Sequence, residues 1–448
     1  MIDSIRFYAA TDVGQVRDHN EDNFLVDKKL ALFIVADGMG GHAAGEVASA
    51  IAVRTVHEEI KKEKDLIADY VAGATGAAKV TVKDLIAVLE HAVQRACGKI
   101  HEEARSDPQK RGMGTTLSAI MVVGHQGFIA HVGDSRIYME RGGNVEQITE
   151  DHTVFNELIK RGKLSREQIE KVAHKNAITR AVGVYERVDV DTLVIELLPG
   201  DTFILASDGL TGYLEHAQEL ASHLEKGGDQ AAKSLIDLAN GRGGQDNITV
   251  VIVAVGSEGA VDEGRARRLA LKREVLAKMP LFARLSEREL LRVMQAVEVR
   301  AYEPDEIVIQ EGARGDELFI VLSGQVRVSR GGATLTHLGS GEHVGEMALI
   351  RSVPRSATVT AIGPAELIAI RRPDFFEILR TEHELAVKML WQFLGVLADR
   401  LDATSSELRH AKEELYAEDV TADIFPVDAA TSPFPVLVAQ LTRERPPR

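Results

Sequence analysis

Four acidic residues stand in one kind of place. Glu21 in RDHNEDNF, Asp37 in VADGMGG, Asp208 in LASDGL and Asp246 in GGQDNIT each end an apolar, strand-like run or lie in a Gly- or Asn-bearing turn beside it. A carboxylate so placed lies at the rim of a sheet, where it can point into a cleft. Taken one at a time, each is an ordinary turn or helix-capping residue. Converging, they would repel one another unless cations neutralised them. Hard oxygen ligands in that number favour magnesium or manganese over zinc, and Cys97 is the only cysteine that could offer soft ligation.

Placing those acids on one rim requires strands, and residues 1–256 alternate strand-like runs with longer helical patterns. The stretch LSAIMVVGHQGFIAHVGDSRIYMERGGNVEQIT predicts successive antiparallel strands broken at GHQG and RGGN, and TLVIELLPGDTFILASDG turns at Pro199-Gly200. Helices are predicted after Gly45 and from Asp84, where Leu85, Leu89, Val93, Ala96 and Ile100 repeat at helical spacing. The fold class is α+β, built on antiparallel sheets.

After VVIVAVGSEG the texture becomes basic and helical in RARRLALKREVLAKM, whose charge run is expected to be a solvated face. PLFARLSERELLRVM is a short helical stretch. Short strands then follow over 306–371, separated by EGARGD, SGQ, RGGA and GSGEH, the pattern of a small β-barrel or jelly roll. A long helix is predicted over 383–416. Its residues Leu390, Leu394, Leu397, Leu401, Thr404, Leu408, Ala411 and Leu415 keep an a/d seam beyond three heptads. That seam either packs on its own domain or pairs two copies in a coiled coil. The expected organisation is thus 1–256, a helical linker 257–279, a β domain 280–382, the helix 383–416, and a disordered tail 417–448.

At 448 residues the chain exceeds the size of one core, so at least two domains are expected. A net charge of −15 argues against nucleic acid and anionic membranes as partners. Cys97 cannot form an intrachain disulfide, and MIDSIRFYAATDVG has no apolar stretch of the leader type, so a cytoplasmic protein is expected.

A second constellation lies in HVGEMALIRSVPRSATVTA. Gly345 and Glu346 open a short apolar turn, and Arg355 arrives nine residues after Glu346, just before a strand. Backbone amides beside one arginine suit an anion, and a glutamate next to them can accept from vicinal hydroxyls, which together suit a ribose phosphate.

RDHNEDN, VADGMGGHAAGE, GMGTTL, AHVGDSRIY, TEDHT, ITRAVG, ILASDGL and GGQDNITVVIV resemble, in order, the motifs of metal-dependent phosphatases of the protein phosphatase 2C type, over nearly all of residues 5–256. The resemblance implies a β-sandwich flanked by helices and a centre of two manganese or magnesium ions between the sheets. Asp37 would bridge the ions, Gly38 would offer its carbonyl, Asp208 and Asp246 would hold the first ion, and Glu21 would serve the second through water. Two cations lower the pKa of a shared water, giving a hydroxide that attacks phosphorus in line. Arg17 resembles the family's substrate-phosphate arginine. His42 is the candidate proton donor, although the position directly after the Asp-Gly pair is Met39. Asp134 resembles a ligand of a third ion, whose usual companion aspartate is replaced here by Gly212. The segment 148–182 resembles the family's active-site flap, in which His152, His174 and Arg180 are expected to cap or pack.

PLFARLSERELLRVM, GDELFIVLSGQVRV, the Gly345–Arg355 stretch and RRPDFFEIL likewise resemble a cyclic nucleotide-binding domain. That resemblance implies that Arg355 takes the cyclic phosphate and Glu346 the ribose 2'-hydroxyl, with Ser356 adding a hydroxyl; cAMP and cGMP both fit, and cAMP is the one expected. The leading expectation is a phosphoserine/phosphothreonine protein phosphatase regulated by a cyclic nucleotide. The alternative is a nucleotide-dependent phosphoprotein-binding scaffold with a weakly active phosphatase fold.

Overall fold

In the computed structural model, described for residues 5–40, 44–73, 79–160, 168, 177–256, 260–351, 353–381 and 383–422, period-two alternation sorts the first 256 residues into layers. Strand β3 (Leu32–Met39) is the clearest case. Leu32, Ile34 and Ala36 pack with helices α1 (Ala44–Lys62) and α3 (Val82–Ser106), while Phe33 meets Phe7 of β1 (Ile5–Asp12), ring centroids 5.8 Å apart. Asp37 continues the Phe33–Val35 period and so faces inward, toward the other sheet.

One sheet has the order β2-β3-β5-β6-β9, with β4 (Gly114–Thr115) added to β3; its other strands are β2 (Asp22–Asp27), β5 (Leu117–Val123), β6 (Gln126–Val132) and β9 (Asp191–Glu196). The other has the order β1-β11-β10-β7-β8, with β7 (Arg136–Arg141), β8 (Asn144–Gln147), β10 (Thr202–Ala206) and β11 (Ile248–Val255). Helices α2 (Lys64–Ala72) and α4 (Val154–Lys160) lie between strands in sequence. Helices α5 (Asp208–Thr211), α6 (Glu219–Leu224) and α7 (Gly228–Gly241) supply Leu210, Leu220, Leu235 and Ala239 to the core behind the second sheet. The result is the expected sandwich flanked by helices.

The strands expected on either side of GHQG and of RGGN pair antiparallel, and the two pairs belong to different sheets: the chain leaves the first sheet after Val132, turns at Gly133–Ser135, and enters the second at Arg136. Gly133 has φ +106°, a conformation other residues rarely adopt. Asp134 therefore sits on a sheet-to-sheet crossing.

The basic stretch forms α8 (Ala260–Lys278), but only part of it is a solvated face. Arg267 and Arg268 are exposed, whereas Lys272 is buried and its Nζ donates to Met294 O and Val297 O. Arg265 donates to Leu197 O, and Arg273 pairs with Glu287. Helix α9 (Glu287–Gln295) opens with a capping box, Ser286 and Glu289 each satisfying the other's amide.

Beyond it the described residues form two four-stranded antiparallel sheets and no closed barrel. Their orders are β12-β19-β14-β17 and β13-β18-β15-β16, and Phe319, Val321, Val326, Val359 and Leu367 from both fill one core. The strands are β12 (Val297–Tyr302), β13 (Ile307–Ile309), β14 (Glu317–Ser323), β15 (Val326–Arg330), β16 (Ala333–Leu338), β17 (His343–Val344), β18 (Thr358–Ala361) and β19 (Ala365–Arg371). Helices α10 (Met347–Ile350) and α11 (Arg372–Thr381) accompany them.

The last helix, α12 (His383–Ala422), extends past position 416, so the start expected for a disordered tail is helical; residues 423–448 lie outside the described residues. The chain divides into two compact units, Met1–Lys388 and Met389–Arg448. No helix among the described residues is long and apolar enough to cross a membrane.

Candidate functional site

Antiparallel pairing brings the acids to one end of the sandwich. Asp37 lies two residues before the end of β3, Asp208 follows β10, and Asp246 precedes β11, the partner of β10. The Asp37 backbone is fixed on both sides by Thr116, whose Oγ1 accepts from Asp37 N (2.9 Å) and whose N donates to Asp37 O (2.8 Å). Burial, then the charges of Asp22, Asp208, Asp134 and Asp246, hold the Asp37 carboxyl well above the usual range. Asp208 is raised by burial and Asp246, and it shares a hydrogen bond with Asp37. Two carboxyls can share such a bond only with a proton between them.

The aspartate that sequence reasoning missed is Asp22. It lies directly opposite Asp37 in the β2–β3 register, is buried, and accepts from Ser207 Oγ at 2.7 Å. Burial pushes it up to about 7. Its neighbour Glu21 takes the Gly45 amide at the start of α1 on its carboxylate, a helix-capping arrangement. A signal was available: counting by twos from the apolar Phe24 puts residue 22, not 21, on the inner face.

Glycine at 38 has a reason independent of any ligand. A Cβ there would stand 2.1 Å from Gly45 O and 2.6 Å from Glu21 O, so strand and helix could not close on each other. His42 lies outside the described residues, as does His174.

Arg17 is held at the mouth of the cleft by its loop. Gly14 (φ +83°) packs backbone to backbone on Asp246, Gln15 N donates to Gly244 O (2.7 Å), and Arg17 Nη2 then reaches Asp246 Oδ2 at 2.7 Å. Asn247 ties the same loop down, donating to Val13 O and His19 O and accepting from Glu21 N. The chain from 13 to 21 is thereby anchored to the start of β11.

Asp134 is pushed to about 7 by burial and by Asp208 and Asp151. Gly212 lies one helical turn beyond Asp208, its amide donating to Asp208 O at 2.7 Å, with no side chain to turn toward Asp134. The neighbouring residues His152 and Arg180 both meet Asp191, at 3.4 and 2.8 Å, consistent with the expected packing role. Burial would raise Asp191, yet His152 and Arg180 outweigh it and hold its carboxyl well below the usual range.

These residues suit a hard divalent cation. Asp22 Oδ1, Asp134 Oδ1 and Asp208 Oδ1 are buried without a hydrogen-bond partner, an arrangement that costs free energy unless a cation answers it. The side chains are not closed into a cage: among the described residues no three His, Cys, Asp or Glu side chains are gathered tightly enough to hold an ion. Of the Asp246 carboxylate, Arg17 Nη2 donates to one oxygen and Asn247 N to the other.

In the second constellation, Gly345 has φ +86° and a Cβ there would lie 2.6 Å from Arg355 Nη1; Gly315 makes the same room on the other side. The Arg355 guanidinium is half-buried and bonds carbonyls, Glu317 O at 2.8 Å and Gly345 O at 3.5 Å. Glu346 is buried beside it and Ser356 is exposed.

The protein phosphatase 2C family model matches residues 14–234, and the cyclic nucleotide-binding domain model matches residues 299–382. The serine/threonine phosphatase stp of Listeria innocua is 38% identical over 247 residues, which are 54% of this chain and 93% of that protein. The chain belongs to the protein phosphatase 2C family. Among solved structures, the Mycobacterium tuberculosis serine/threonine phosphatase PstP/Ppp is 33% identical, with a TM-score of 0.49 over 56% of this chain and 99% of its own. The catalytic domain of PstP in complex with two manganese ions gives 33%, 0.47, 56% and 99%.

Proposed function

We propose that this phosphatase 2C enzyme hydrolyses phosphoserine and phosphothreonine in proteins, and that a cyclic nucleotide bound at Arg355 and Glu346 sets its rate. The observation that carries the first part is the stock of buried, unanswered carboxylate oxygens on Asp22, Asp134 and Asp208 around Asp37, with Arg17 at the mouth. A phosphoprotein-binding scaffold has no use for so much uncompensated negative charge.

The assigned roles follow the chain's own groups. Manganese or magnesium, held by Asp37, Asp208, Asp246 and the Gly38 carbonyl with Glu21 nearby, would supply Lewis-acid activation of the attacking water. Arg17, half-exposed, pairs with phosphoryl oxygens through the fork that now holds Asp246. Water adds to phosphorus, the ester P–O bond breaks, and the leaving alkoxide takes a proton, for which His42 is the proposed donor. Asp134 supports the centre from the crossing turn.

In residues 280–382, Arg355 is proposed to take the cyclic phosphate, Glu346 the 2'-hydroxyl, and Ser356 a further oxygen. Residues 1–256 and 280–382 are proposed as the two domains, joined by 257–279. A cytoplasmic setting goes with them, on the single free thiol of Cys97.

The test is manganese-dependent hydrolysis of a phosphoserine peptide by the full chain, with and without cAMP or cGMP. Turnover that responds to one nucleotide is expected, and Arg355→Ala, which removes a charge-assisted pair, is expected to weaken nucleotide binding roughly a hundredfold or more. No hydrolysis with manganese present would refute the phosphatase reading; turnover and melting temperature indifferent to both nucleotides would refute the regulatory one.

A second copy of the chain is the proposed partner of α12. Leu390, Leu394, Leu401 and Leu408 are each more than half exposed along the a/d period. Light scattering is expected to give a dimer mass, reduced to monomer by Leu394→Glu with Leu401→Glu; a monomeric wild type would end the proposal.

A further inference from the structure

Helix α9 leads into the nucleotide-binding sheets, yet one of its faces serves the phosphatase sandwich. Arg288, Arg292 and Gln295 fall at i, i+4 and i+7, so they share a face. That face meets β9, the edge strand of the first sheet. Arg292 donates to Thr192 O and Gln295 to Val194 O; Arg141 takes Glu196 O at 2.8 Å and Arg265 of α8 takes Leu197 O at 2.7 Å. The alternate carbonyls of residues 192, 194 and 196 on this edge, and that of Leu197 just past it, are thus answered by side chains, largely from the connecting helices. The helices are docked on the sandwich, and α9 is no slack tether.

Arg288 reaches further in. Its guanidinium pairs with Glu150 and lies 3.6 Å from Asp191 Oδ2. Two hydrogen-bonded routes leave that point. Asp191 Oδ2 is 3.4 Å from His152 Nε2, and the Gly133 amide donates to His152 Nδ1 at 3.1 Å. His152 N returns a bond to Gly133 O at 2.7 Å. On the second route, Glu150 O meets His131 Nε2 (3.0 Å), His131 Nδ1 meets Ser118 Oγ (2.9 Å), and Ser118 Oγ donates to Ser135 O (2.9 Å). Ser135 Oγ then meets Thr116 Oγ1 at 2.7 Å, the atom that accepts from Asp37 N. Both routes end on Gly133–Ser135, the crossing turn that carries Asp134.

We infer that Arg288 is a positioning residue for the phosphatase cleft, holding the turn of Asp134 and, through Thr116, the backbone of Asp37 from the helix that leads into the nucleotide-binding sheets. The inference rests on the proposed function in taking that cleft as the seat of turnover. It gives nucleotide binding a place to act: a ligand that shifts α9 changes the grip of Arg288 on Glu150 and Asp191, with no contact to substrate.

The experiment compares full-length wild type with Arg288→Met, Arg288→Lys and Gln295→Ala by amide hydrogen exchange and by manganese titration of peptide hydrolysis. Arg288→Met is expected to speed exchange across residues 131–135 and 149–152. It is also expected to lower kcat and raise the manganese concentration for half-activation by roughly threefold to tenfold, the range for residues that touch neither ligand. Arg288→Lys, keeping the charge without the fork, is expected to fall between, and Gln295→Ala, which loosens the same helix without touching the two carboxylates, to leave residues 131–135 as in wild type. Unchanged exchange at 131–135 in Arg288→Met, or an equal effect from Gln295→Ala, would overturn the inference. Should Arg288→Met melt as a whole, Arg288→Lys decides by the same exchange readout. A wild type without turnover would count against the proposed function alone, because the exchange result does not depend on catalysis.

Discussion

Replacing Asp37 with asparagine is expected to lower manganese-dependent hydrolysis of a phosphoserine peptide roughly a thousandfold, the scale of a metal's several kcal/mol of transition-state stabilisation. Asparagine keeps the size of the side chain, and the Thr116 bonds to the residue 37 backbone do not depend on its side chain. The strand should therefore hold while the ligand charge is lost. A second signature has the opposite sign. In the metal-free protein Asp37 stands among Asp22, Asp134, Asp208 and Asp246, so removing its charge relieves repulsion, and an amide can donate to Asp208 where a shared proton was needed before. The variant is thus expected to melt higher than wild type in chelator and to gain less from added manganese. A variant that turned over like wild type would remove Asp37 from the centre of the chemistry. One that lost activity but also melted lower in chelator would show that Asp37 is a structural residue, because only mutual repulsion predicts a gain.

The gathering of the acids was legible from residue type and position because four carboxylates stand at the end of an apolar run or in a turn beside one. Parity was not read. Glu21 and Asp22 are adjacent, and only pairing with β3 shows that 22 is opposite Asp37 while 21 meets the start of α1. Sheet membership was likewise beyond local pattern. The turn at Gly133–Ser135 crosses between sheets, because β7 finds its partner in β10 some seventy residues later. The basic helix α8 shows the limit of composition: Lys272 and Arg265 look solvated in sequence, but each has its charge turned to carbonyls at strand or helix ends that only the tertiary fold brings near. The arginine of the second constellation was found from its spacing, whereas Gly315, which clears space for the guanidinium from another strand's turn, left no signal nearby.

The pH behaviour of the metal-free protein follows from the same crowding. An unfolded aspartate titrates near 3.9. Asp22 and Asp134 are held at about 7, so between those values the folded protein binds protons that the unfolded chain does not. The stability they contribute is complete at low pH and is lost as pH rises through 7. His131 opposes this at lower pH. Burial and His152 drop its pKa to about 3, so its contribution is present above the unfolded value near 6.5 and fades below it. The carboxyls therefore dominate from pH 6.5 to 8, where two groups at about 7 remove roughly 1–2 kcal/mol, and Asp37 adds to the loss. In chelator, the melting temperature of the phosphatase sandwich is expected to fall by about 2–6 °C across that interval. Saturating manganese competes for the same oxygens, so its stabilising effect should grow as pH rises and protons leave. A chelated protein whose melting temperature is flat or rises from pH 6.5 to 8 would mean that these carboxyls are answered by some other cation in solution. Manganese that stabilised more at pH 6.5 than at pH 8 would place its binding away from Asp22, Asp37 and Asp134.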